Sequence, residues 1–99
     1  MSQQASARAS MPATDTVKAF YFVTGDTHPG LIARLVQPFA KLGLSLERVH
    51  ASTENGAGDT LEADLRVSEL TRQQAHVIEK SLRATVGVQS VIALVEHSG

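Results

Sequence analysis

Apolar residues along this chain change their spacing in a set order, and that order limits the available folds more than any other feature. Residues 17–23, VKAFYFV, combine β-branched and aromatic residues with apolar groups at both parities, the pattern of a central strand covered on both faces or nearly so. In LIARLVQPFAKL (31–42), Leu31, Ile32, Leu35, Val36, Phe39 and Leu42 share one arc of a helical wheel, with Arg34, Gln37 and Lys41 opposite. This predicts a helix with one buried face. LSLERVHA (44–51) alternates weakly, with polar residues on both sides, and suits a sheet edge. TLEADLRV (60–67) alternates strictly, which predicts a strand with one wet face and one dry face. Ala75, Ile78, Leu82 and Thr85 return to helical spacing, and VQSVIALV (88–95) closes the series as a fourth strand.

Punctuation residues fall between these segments. Pro29 suits a first helical turn, Gly43 suits the left-handed position that ends the first helix, and Gly87 marks the exit from the second. Thr71 and Gln74 have the spacing of a capping box, with Leu70 placed to staple onto Ala75. STENGAGD (52–59) carries Asn-Gly and Gly-Asp turn chemistry. Pro38 removes a hydrogen bond inside the first helix and predicts a bend there.

The resulting order is βαββαβ. Right-handed crossovers place both helices on the same face of the sheet. The predicted class is therefore α+β: a ferredoxin-like sandwich with a four-stranded antiparallel sheet and two helices on one face. The helix-free face carries Glu62, Asp64 and Arg66, and apolar groups on its other strands call for a partner.

At 99 residues, with 42% hydrophobic and 19% charged, the chain has room for one domain with one modest core. Residues 16–97 are assigned to that domain. Residues 1 to about 15 are small and polar without a sustained period, and are read as a mobile tail. No secretory signal and no apolar run of membrane-spanning length is present, so a cytoplasmic protein is expected, without membrane contact. A net charge of -1 offers no general attraction to nucleic acid, and the absence of cysteine removes thiolate chemistry.

Chemistry concentrates in GDTHPG (25–30), just before the first helix. A P-loop would need more glycines and a following Lys-Ser or Lys-Thr, but Leu31 and Ile32 stand there. No nucleophile-elbow pattern occurs, and the histidines are too widely spaced for a local ligand pair. No catalytic residue, metal or cofactor is assigned. The turn remains as the mouth of a small-molecule site: a helix N-terminus can hold a carboxylate, and Gly30 allows close approach to the backbone. Asp26 or Thr27 either caps the helix or binds an ammonium or hydroxyl group. His28 caps, or lies exposed, near the same helix end.

The run from FVTGDTHPGLIARLVQPFAKLGLSLERV through GDTLEADLRV to VGVQSVIALV resembles an ACT domain, over about residues 17–96. The resemblance implies a homodimer that binds an amino acid or similar effector between copies. It implicates Asp26, Thr27, His28, Gly30, Leu31 and Ser45, the last at the start of the second strand. Amino-acid-sensing members often carry asparagine where this chain has Thr27 and Ser45, and a hydroxyl offers fewer hydrogen-bonding groups than an amide. A single ACT unit is similar to the small regulatory subunits of acetolactate synthase, which implies a catalytic partner in trans. A dimerisation scaffold without ligand is the main alternative. An RNA-binding domain is another, because the RNA-recognition motif shares the βαββαβ order and Phe20 and Phe22 could stack bases, but the third strand lacks an aromatic and carries two carboxylates.

Overall fold

A computed structural model describes residues 16–54 and 59–97. The expected tail and the Asn55–Gly56 turn lie outside the described residues. The elements are β1 (Thr16–Asp26), α1 (Leu31–Lys41), β2 (Leu46–Glu54), β3 (Thr60–Thr71), α2 (Arg72–Arg83) and β4 (Val88–His97). The strands order as β2-β3-β1-β4, with every neighbouring pair antiparallel. This is the ferredoxin-like sandwich, with β1 and β3 central and β2 and β4 at the edges.

Strand alternation assigns each residue to a face. Val17, Ala19, Tyr21 and Val23 of β1 and Leu61, Ala63, Leu65 and Val67 of β3 are buried together with Leu31, Leu35 and Phe39 of α1 and Ala75, Ile78 and Leu82 of α2. The buried stripe of α1 is narrower than its apolar arc: Ile32 and Leu42 remain exposed. A sheet buries a helix only along its line of contact, so the flanks of a wide arc stay wet.

The helix ends follow local chemistry. Gly43 (φ +70°) donates to Ala40 O, and Leu44 reaches back to Phe39 O, which forms a Schellman motif with glycine in the left-handed position. Helix α1 is continuous across Pro38. The capping box of α2 is complete: Gln74 N–H donates to Thr71 Oγ1, and Thr71 N–H donates to Gln74 Oε1. Leu70 belongs to β3, Thr71 is both the last residue of β3 and the N-cap that opens α2, and Thr85 lies past the helix's last turn.

Strand β3 runs four residues beyond its predicted end. Near that end Ser68 and Glu69 together oppose Lys18 of β1, a bulge in which Glu69 adopts φ 59°. Nothing in the local sequence marks the position, since this backbone region favours glycine.

Tyr21 ties sheet to helix. Its ring meets Phe39 edge-on at 5.8 Å, and its hydroxyl donates to Ala75 O at 2.7 Å. Burial, with the Glu79 carboxylate a lesser cause, raises the phenol's pKa well above its ordinary value of 10.0. Above about pH 10 the unfolded chain releases a proton that the folded chain retains. Stability should therefore fall by up to about 1.4 kcal/mol per pH unit beyond that point, with no contribution from this group near neutrality. Urea unfolding on either side of pH 10 measures the fall, and Tyr21→Phe should lack it. Because the chain has one tyrosine and no tryptophan, tyrosinate absorbance reports the titration directly.

Candidate functional site

The β1–α1 turn is assembled from backbone. Asp26 N–H donates to Gly87 O at 2.8 Å, His28 N–H to Asp26 O at 2.8 Å, and Leu31 N–H to His28 O at 3.0 Å. Gly30 occupies the N-cap position of α1, and no side chain caps the helix there. Neither Asp26 nor Thr27 therefore caps α1; both precede the cap position by several residues. Pro29 lies in the turn and not in the first helical turn.

His28 is exposed, and its Nδ1 accepts the Gly30 N–H at 3.0 Å. One Asp26 carboxylate oxygen accepts from Gln89 Nε2 of β4 at 2.9 Å, a contact across 63 residues that sequence spacing does not reveal. Thr27 is exposed.

Leu31 is fully buried in the core. Its side chain is thus unavailable to a ligand, and its N–H is already engaged by His28 O. Gly25 explains how closely this corner is built: a Cβ there would lie 2.6 Å from Gly87 O and 2.8 Å from a Leu31 methyl. Gly30 has more room, meeting only the His28 ring at 3.4 Å.

Ser45 lies in the α1–β2 connection, one residue before β2 rather than at its start. It lines a concavity of about 340 Å³ with Gly43, Leu44, Glu47, Ser68 and Glu69. The register shows that this concavity and the turn are at opposite ends of the sheet. Asp26 pairs with Thr60 at one end of β3, whereas Leu46 pairs with Val67 near the other. The 11 residues of α1 lie between, a separation of about 16 Å. One copy of the chain brings Asp26, Thr27, His28, Gly30 and Leu31 together and leaves Ser45 apart. Sequence reading missed Gly25, Gln89 and Glu69; the first two act through contacts remote in sequence.

A larger groove of about 610 Å³ lies between the helices, lined by Arg34, Gln37, Pro38 and Lys41 on one side and Ser81, Ala84, Thr85 and Val86 on the other. It contains none of the candidate residues. Among the described residues no three metal-ligating side chains cluster, and no helix is long and apolar enough to cross a membrane.

Compared by sequence, the chain matches no protein-family model and no curated protein. Compared by structure, it is similar to the ACT domain of GTP pyrophosphokinase from Chlorobium tepidum, at 16% identity and TM-score 0.62, over 78% of this chain and 96% of that one. It is similar to the C-terminal domain of the MgtC protein from Mycobacterium tuberculosis, at 16% identity and TM-score 0.60, over 85% and 92%. The regulatory subunit of aspartate kinase from Thermus flavus aligns at 16% identity and TM-score 0.56, over 84% of this chain and 53% of that subunit. The fold is accordingly the one that ACT domains have.

Proposed function

We propose that this chain is a regulatory module that binds a small effector of amino-acid type between two copies and modulates a metabolic enzyme in trans. The observation that carries this reading is the separation of the candidate residues. Strand β2 is a sheet edge, and two such edges pairing antiparallel about a two-fold axis would turn the second copy end for end. Its Ser45 would then stand at the end where the first copy holds Asp26 to Leu31. Val49, on the helix side of β2 and nearly half exposed, would gain cover in the same arrangement.

Leu31 and Gly30 N–H groups are engaged by His28, so the N–H groups of Ile32 and Ala33 are the first-turn donors left for an effector carboxylate. Ser45 and the carboxylates of Glu47 and Glu69 suit the ammonium end. The enzyme partner is a separate catalytic chain, and acetolactate synthase is the candidate that sequence resemblance suggests. Binding would act on that partner through its differential affinity for two packings of the copies.

A thermal-shift panel over the proteinogenic amino acids tests the reading. A ligand at about 100 times its dissociation constant should stabilise by about 2.7 kcal/mol, several degrees for a domain of this size. Ser45→Ala should reduce that shift while leaving the unliganded midpoint within a degree or so, because Ser45 is exposed. A strict monomer by gel filtration would count against the whole arrangement. The scaffold reading draws support from the engaged donors of the turn and predicts silence across the panel. RNA binding is disfavoured by Arg66 lying over the Phe20 ring at 4.9 Å, beside Glu62 and Asp64 on the same face.

A further inference from the structure

The helix-free face of the sheet is divided into two halves. On β1 and β4 it presents Phe20, Phe22, Ile92 and Leu94, with Phe22 44%, Ile92 65% and Leu94 52% exposed. On β3 and β2 it presents Asp64, Arg66, Arg48 and His50. Cross-strand register arranges these eight in two adjacent rows: Arg48, Arg66, Phe20, Leu94 and then His50, Asp64, Phe22, Ile92.

We infer that this face stacks on the same face of a second copy, about a two-fold axis that crosses the strands midway between the two rows. That operation lays each row on the other. Phe20, with Arg66 of its own chain 4.9 Å over its ring, then lies opposite Phe22 of the second copy, Leu94 opposite its Ile92, Arg66 opposite its Asp64 and Arg48 opposite its His50, with every pair occurring twice. The pattern is self-complementary in apolar character and in the Arg66–Asp64 pair, with Asp64 also 3.8 Å from Arg48 of its own chain.

Area selects the same arrangement. Four strands about 4.8 Å apart and some ten residues long give a face of about 600 Å², so two faces bury about 1,200 Å². That reaches the lower bound of a stable interface only when both halves take part. Contact through the apolar half alone would be of crystal-packing size. Aligned sheet stacking keeps the strand directions within about 30°, which an axis across the strands permits. This interface does not use the β2 edge, so it stands or falls apart from the effector site.

Sedimentation equilibrium of the full chain at micromolar concentrations tests the inference. Ile92→Glu should weaken self-association at least about tenfold, with an unchanged far-ultraviolet spectrum because the side chain is mostly exposed. Asp64→Arg and Arg66→Asp should each weaken it several-fold by opposing like charges across the dyad. The double exchange Asp64→Arg/Arg66→Asp should return it to near the original value, and a purely structural role for either residue would not give that rescue. Where β2 edges also pair, the face variants should convert a tetramer into a dimer. The inference is overturned if Ile92→Glu leaves the mass unchanged, if the double exchange fails to rescue, or if removing residues 1–15 exposes dye-binding surface on a monomer. Capture of a labelled RNA pool that Phe22→Ala abolishes would also overturn it and assign the face to nucleic acid.

Discussion

Gly25→Ala should cost about 3 kcal/mol of folding stability, at the upper end for overpacking a filled site. The added methyl would meet Gly87 O at 2.6 Å and a Leu31 methyl at 2.8 Å. A leucine side chain can rotate away. The carbonyl cannot, because it accepts the Asp26 N–H at 2.8 Å and belongs to a residue already at φ +99°. Relief therefore requires separating β1 from the α2–β4 connection. Urea denaturation measures the loss, and Gly43→Ala provides the comparison. That position has open space around it and only an unfavourable φ of +70°, so about 1 kcal/mol is expected. Equal losses for the two would show that the close approach at Gly25 carries no penalty of its own.

Leu31→Ala should cost more, about 2–5 kcal/mol, because it empties a fully buried position between the first helix and the sheet. Against the few kcal/mol by which small domains are stable, this is a large fraction. The two substitutions also interact. Removing the leucine methyls clears the 2.8 Å contact but not the 2.6 Å one, so the double variant should lose less than the sum of the singles. Strict additivity would mean that the Leu31 side chain is no obstacle to an alanine at position 25.

How far the sequence can be read depends on whether a feature is local. The six elements, the Schellman glycine, the capping box and the edge position of β2 all rest on patterns within a dozen residues, and each is present. The strand ends are less legible. Pairing partners extend β1 to Asp26 and β3 to Thr71, and a bulge at Ser68 and Glu69 has no glycine to announce it. In the candidate site, the turn residues could be found from Pro-Gly followed by an amphipathic run. The loss of Leu31 to the core, the Gln89 contact and the closeness of Gly25 to Gly87 could not, because each depends on how the second half of the chain folds over the first. Ser45 shows the limit from the other side: its place in sequence is plain, yet its distance from the turn follows only from strand register.

The fastening of Asp26 has a mechanical consequence. Its N–H holds the α2–β4 turn and its carboxylate holds Gln89 on β4, while the chain continues directly into the tip of α1. A pull on that tip is thus handed through two short hydrogen bonds to the edge strand farthest from β2. Any occupant that shifts the helix tip by a fraction of an ångström should be felt along β4, and amide chemical shifts of Gln89 and Ser90 are where that tension would first register.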